Sequence, residues 1–158
     1  MARAAVARSV TCTSPLPRQH LDNRTGGSWR VDALPSELPE DSAVSHDYLS
    51  LAVELSDGRD MTYTWSRSLP VEASYWCPLP TWKDREHHLV VRSGPEGLGA
   101  WHAQERDLYA DVAARMGPPP ARIVRVWLIA VSLFQRREGR CAYAGIELVQ
   151  GERAVRVL

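Results

Sequence analysis

Leu49-Ser-Leu-Ala-Val-Glu-Leu-Ser-Asp-Gly-Arg-Asp-Met-Thr-Tyr-Thr-Trp65 decides the fold. Apolar and polar residues alternate on both sides of Ser56-Asp57-Gly58, the period-2 signature of half-buried strands. Leu49, Leu51, Val53 and Leu55 share one face of the first run, and Ser50, Ala52 and Glu54 share the other. Two hairpin registers compete: a two-residue Asp-Gly turn, and a three-residue loop with Gly58 left-handed. The three-residue loop sets Val53 opposite Met61, Leu51 opposite Tyr63 and Leu49 opposite Trp65, uniting both apolar stripes. The two-residue turn would oppose Thr62 and Thr64 to the leucines. A one-residue slip exchanges the faces, so burial favours the three-residue loop.

Downstream, residues 71–80 continue extended and end in Cys77-Pro-Leu-Pro80. Two prolines cannot donate to a ladder, so this segment is expected at an edge or crossover. His87–Arg92 reads as the next strand and Gly94-Pro-Glu-Gly-Leu-Gly99 as a loop. Trp101, Glu105, Leu108, Val112 and Met116 recur at helical spacing, which predicts one α-helix over about 100–116, stopped by Gly117 and Pro118-Pro-Pro120. Ile123–Leu133 is apolar and β-branched, which predicts a central strand buried on both faces. Cys141–Val149 reads as a returning strand and Ala154–Leu158 as a last short one.

Upstream, Trp29-Arg-Val31 suits a short strand, and residues 35–47 are Pro- and acid-rich, as in an exposed loop. Residues 1–27 lack either hydrophobic period and contain Pro15, Pro17, Gly26 and Gly27, so they are expected to form a flexible or misassigned lead-in. Residues 28–158 then make a single domain. Strands dominate with no βαβ alternation, so the expected class is mostly β: an antiparallel β-sandwich, jelly-roll-like, with one helix.

A chain of 158 residues with 44% hydrophobic and 24% charged residues is globular, and large enough to bury about two thirds of its unfolded surface. Lys plus Arg equals Asp plus Glu at 19 each, which removes the broad positive field of non-specific nucleic-acid binding. The charge is uneven, with Arg3, Arg8, Arg18, Arg24 and Arg30 against Asp22 alone in the first thirty residues. No apolar run is long enough to span a bilayer. Cys12, Cys77 and Cys141 form no C-x-x-C pair and no Cys/His spacing that would hold zinc, so neither a metal nor another cofactor is expected.

Asp84-Arg-Glu-His-His88 is the densest titratable cluster. On a strand His87 and His88 point to opposite faces and cannot ligate one metal together. Either could act as a general base beside Glu86 or Asp84, which makes His87, His88 and Glu86 the candidate catalytic set. The bland reading of the cluster is a charged loop entering a strand. His102 and Glu105 stand three apart on the expected helix, a metal-like spacing in reverse order without a second copy, and a solvated face explains it. No nucleophile elbow, P-loop or dinucleotide fingerprint occurs. Of the six Trp, Trp127 is expected in the core. Trp76 and Trp82 flank the proline-rich crossover, and with Asp84, Arg85 and Arg92 they form the candidate ligand-binding set.

Trp65-Ser-Arg-Ser-Leu-Pro70, Cys77-Pro-Leu-Pro-Thr-Trp-Lys-Asp-Arg-Glu-His-His88 and Val90-Val-Arg-Ser-Gly94 resemble the bacterial family known as domain of unknown function 3047. Arg106-Asp-Leu-Tyr-Ala-Asp111 and Ile123-Val-Arg-Val-Trp-Leu-Ile129 extend the resemblance over roughly residues 28–149. It implies a β-sandwich of the kind shared by many carbohydrate-binding modules and is silent on activity. Members usually carry a further N-terminal β-region, often after an export signal. That departure predicts a truncated or misassigned start here: cytoplasmic as written, exported if the true N-terminus lies upstream. Many members also place an acidic turn after the long strand, where this chain has Val131-Ser-Leu-Phe-Gln-Arg-Arg-Glu138, so any ion-binding role of that turn is not carried over.

The first expectation is a non-catalytic module binding an oligosaccharide or another small polar ligand. The alternatives are a general acid–base enzyme at His87/His88, and a protein-interaction or homo-oligomerising subunit using an open sheet edge.

Overall fold

The computed structural model describes residues 8–11 and 23–158; residues 1–7 and 12–22, most of the expected lead-in together with Cys12, lie outside them. The elements are β1 (Arg8–Thr11), β2 (Asn23–Ala33), β3 (Leu49–Leu55), β4 (Asp60–Ser66), β5 (Ser74–Trp76), β6 (Glu86–Ser93), β7 (His102–Asp107), α1 (Leu108–Met116), β8 (Ile123–Ala130), β9 (Arg140–Gln150) and β10 (Arg153–Arg156). They form two mostly antiparallel sheets in a sandwich-like arrangement, ordered β1-β8-β3-β4-β6-β5 and β10-β9-β2-β7. The pairing of β4 with β6 is parallel, because residues 67–85 cross over through the edge strand β5.

The decisive hairpin takes the three-residue register. Val53 faces Met61, Leu51 faces Tyr63 and Leu49 faces Trp65, and Gly58 has a φ of 85°. Met61, Tyr63 and Trp65 are buried with Leu49, Val53, Leu89 and Val91 against Trp29 and Val31 of the second sheet. The Trp29 and Trp65 rings lie 5.9 Å apart, and the Tyr143 hydroxyl donates to the Ser50 carbonyl at 2.9 Å, tying the sheets together.

Three expectations need correction. The helix begins at Leu108, not near residue 100, because the Asp107 side chain accepts from the Ala110 amide at 2.9 Å and caps it. His102–Asp107 instead pairs as a strand with the edge of β2. Leu108, Val112 and Met116 are buried as their spacing required, while Trp101 is exposed and Glu105 pairs with Arg24. Second, the short strand at Trp29 is part of an eleven-residue strand running back through Gly26 and Gly27. These glycines serve close packing: a Cβ on Gly27 would lie 3.1 Å from Ile146 Cγ1. Third, β8 is not buried on both faces. Ile123 and Val126 are buried, whereas Trp127 and Ile129 are only half-buried, because the second sheet covers one face and the other opens on a cleft.

A buried carboxylate joins α1 to the sandwich. Asp111 accepts from the Tyr63 hydroxyl at 3.1 Å, from Arg106 at 2.9 and 2.7 Å, and from Arg115 at 3.1 Å. Both arginines also reach Glu72 on the crossover.

Candidate functional site

Strand alternation turns Asp60, Thr62 and Thr64 of β4 and Glu86 and His88 of β6 to the face away from the second sheet. The parallel register sets Asp60 beside Glu86 and Thr62 beside His88. The loop before β3 folds over this face. Ser66 and the Arg67 amide bind the Glu40 carboxylate, and His46, Asp47 and Tyr48 are all buried. The chain leaving β5 brings Cys77 to the same place, its amide donating to the Glu86 carbonyl at 2.8 Å.

His46, Cys77, Glu86 and His88 therefore converge, all buried, with one donor atom from each lying within 4.8 Å of the others. His46 Nε2 is 3.3 Å from Cys77 Sγ. His88 Nε2 is 3.4 Å from Glu86 Oε1, yet makes no aligned hydrogen bond. Glu86 Oε1 accepts from the Tyr48 hydroxyl at 3.0 Å and from Thr62 Oγ1 at 3.2 Å. The His88 ring stacks on Tyr75 at 4.9 Å and meets Tyr48 and His46 edge-on. Burial, then the neighbouring His88, lowers His46 to about 4, and burial pushes the Cys77 thiol up to about 12. Burial also works to raise Glu86, but His88 and Tyr48 outweigh it and hold that carboxyl below the ordinary range.

Beside this cluster runs a cleft of about 500 Å³. His46, Tyr48 and Glu86 form one wall, and Asp60, Glu54, Arg125 and Trp127 lie along the sheet. Trp82, Arg85, Leu133 and Phe134, all exposed, form its lip. Trp127 Nε1 donates to Glu54 at 3.1 Å, and the Arg125 guanidinium lies 4.7 Å over the Trp127 ring. Asp60 Oδ1 has no hydrogen-bond partner among the described residues, and burial followed by the charges of Glu86 and Glu54 raises Asp60 to about 7. The lip is held firmly at Leu133 and Phe134: the buried Asp47 carboxylate accepts from the amides of Leu133, Phe134 and Gln135 at 2.6, 3.0 and 2.6 Å.

Of the candidate ligand-binding residues, Trp82 and Arg85 line the cleft, the guanidinium lying 5.1 Å over the exposed indole. Trp76 is also exposed but stands edge-on to His87 at 4.7 Å on the edge strand. Asp84 is exposed outside the cleft lining, and Arg92 lies over the Trp65 ring at 5.1 Å. Of the candidate catalytic residues, Glu86 and His88 belong to the buried cluster. His87 faces the other way, buried with both ring nitrogens lacking a hydrogen-bond partner among the described residues, and burial lowers it to about 4. His102 and Glu105 are on β7, not on a helix face, and His102 Nε2 lies 2.8 Å from the Gly97 carbonyl. Cys77 and Cys141 are both free thiols.

Sequence reasoning overlooked His46, Tyr48, Asp60, Glu54, Arg125 and the cleft side of Trp127. Glu86-x-His88, two residues that share a strand face, was the one local signal available. His46 and Cys77 come from separate segments with no motif spacing.

A family model described as "Protein of unknown function (DUF3047)" matches residues 23–147. No curated protein and no solved structure matches the chain.

Proposed function

Since the chain belongs to the DUF3047 family, whose description names no activity, we propose from the cleft itself that the protein is a non-catalytic binding module for an oligosaccharide or a comparable small polar ligand. The observation that carries this reading is the pairing of aromatic faces with charged groups in one open cleft. Trp82 and Trp127 present indole surface, while Arg85, Arg125, Glu54 and Asp60 offer hydrogen-bonding atoms around them. A sugar ring has this dual character, with apolar C–H faces and a polar rim, and aromatic stacking orients it while carboxylates and guanidinium groups read its hydroxyls. Neither His87 nor His88 is among the residues lining the cleft, which favours binding over the acid–base alternative.

Isothermal titration against a glycan panel tests the reading. A hit should weaken about tenfold in Trp82→Ala and in Trp127→Ala, the loss of roughly 1.4 kcal/mol of contact. Binding that is unchanged in both variants would remove the cleft as the site.

A further inference from the structure

We propose that His46, Cys77, Glu86 and His88 form a four-ligand zinc site in the wall of the cleft. The cluster combines two imidazoles, a thiol and a carboxylate, the ligand types zinc takes in closed tetrahedral sites. Zinc–ligand bonds of about 2.0–2.3 Å place tetrahedral ligand atoms roughly 3.3–3.8 Å apart. The His46–Cys77 and His88–Glu86 separations of 3.3 and 3.4 Å match that edge, and all the donor atoms already lie within 4.8 Å of one another.

The surrounding hydrogen bonds orient both imidazoles, and for His46 they fix which nitrogen carries the proton. His46 Nδ1 lies 2.7 Å from the Glu40 carbonyl, which can only accept, so Nδ1 carries the proton and Nε2 presents a lone pair to Cys77. The Thr64 hydroxyl lies 3.2 Å from His88 Nδ1 and holds that edge of the ring away from the cluster. His88 Nε2 is thereby turned into the cluster, 3.4 Å from Glu86 Oε1 and without an aligned hydrogen bond among the described residues. Each imidazole is anchored through Nδ1 and turns Nε2 into the cluster, the arrangement of metal-bound histidine, and Tyr48 and Thr62 fix the carboxylate by donating to Oε1.

Charge supports the assignment. Binding replaces the Cys77 S–H bond with a Zn–S bond and releases that proton to solvent. One thiolate and one carboxylate then neutralise Zn²⁺, so the buried centre carries no net charge. Four protein ligands leave no open position, and the centre acts by clamping the loop of His46, the exit of the edge strand and β6 together. His46 and Glu86 also line the cleft, but metal binding is read without any cleft ligand, so this inference and the glycan-binding reading fail separately.

The test uses the whole chain purified from zinc-supplemented medium. Elemental analysis should find one zinc per chain. Replacement by cobalt(II) should give tetrahedral d–d bands and a thiolate-to-cobalt charge-transfer band, retained in Cys141→Ser and lost in Cys77→Ser. Thr64→Val, a near-isosteric change that keeps all four ligands, should weaken zinc on the order of tenfold in competition with a chromophoric chelator. A folded wild-type chain that takes up neither zinc nor cobalt overturns the proposal, as does a charge-transfer band that survives in Cys77→Ser.

Discussion

Replacing Asp111 with asparagine tests whether one carboxylate holds the helix to the sandwich. Asp111 accepts four hydrogen bonds, from the Tyr63 hydroxyl, twice from Arg106 and once from Arg115. Asparagine keeps the shape but, with two donors on each carboxylate oxygen, turns an NH₂ group toward two of the four and removes the charge. Breaking a fully buried ion pair costs about 3–5 kcal/mol. Here the Arg106 and Arg115 side chains retain 20% and 19% exposure and keep Glu72 as a partner, which lowers the expected loss. That discount for solvent puts Asp111→Asn at about 2–3 kcal/mol. Tyr63→Phe removes a single hydrogen bond to a charged acceptor, about 1.5 kcal/mol. For a chain of this length Asp111→Asn should lower the melting temperature by about 4–12 °C. Urea unfolding followed by tryptophan fluorescence measures all three variants, and the double mutant should fall short of additivity by at least about 0.5 kcal/mol. Asp111→Asn within about 0.5 kcal/mol of wild type, or strict additivity with Tyr63→Phe, would refute the network.

Two further perturbations probe other parts of the molecule. Asp47→Ala leaves three backbone amides at the cleft lip without their acceptor and should cost on the order of 3 kcal/mol in urea unfolding, with faster amide exchange at Leu133, Phe134 and Gln135; unchanged exchange there would show that the carboxylate does not pin the lip. Gly27→Ala drives a methyl group against Ile146 and should destabilise by about 1–3 kcal/mol, with hydrogen exchange rising first along β2 and β9. A neutral effect on stability would mean that the two strands separate more easily than their packing implies.

The hairpin was legible because burial and turn chemistry agreed: only one register joined both apolar stripes, and Gly58 supplied the positive φ that it needs. The edge position of residues 74–76 followed equally directly from the prolines behind them. Local signals failed where a distant segment decided the outcome. Trp101 and Glu105 match a helical period, but the unpaired edge of β2 recruits residues 102–107 and Asp107 starts the helix after them. Gly26 and Gly27 look like chain breakers until Ile146 is placed against them. Trp127 sits in an apolar run that reads as core, and only the placement of the second sheet on the opposite face of β8 shows that its own face is open to the cleft. The buried cluster was the least legible part. Its four side chains come from a loop, a strand exit and a strand, so no spacing in the sequence announces it, and Thr62 and Thr64 gain meaning only once β6 lies parallel to β4.

The pairing of β2 with β9 has a consequence for biosynthesis. β2 occupies residues 23–33 and its partner residues 140–150, so the strand that carries Trp29 and Val31 waits for nearly the whole chain before its longer ladder can form. The β3–β4 hairpin can close as soon as it leaves the ribosome, but the apolar face of Met61, Tyr63 and Trp65 then stays uncovered through much of translation. At roughly 5–20 residues per second that interval lasts seconds. Chaperone occupancy should therefore be highest on nascent chains ending between β4 and β9, and a stop codon just before residue 140 should yield a product that aggregates instead of a smaller folded domain.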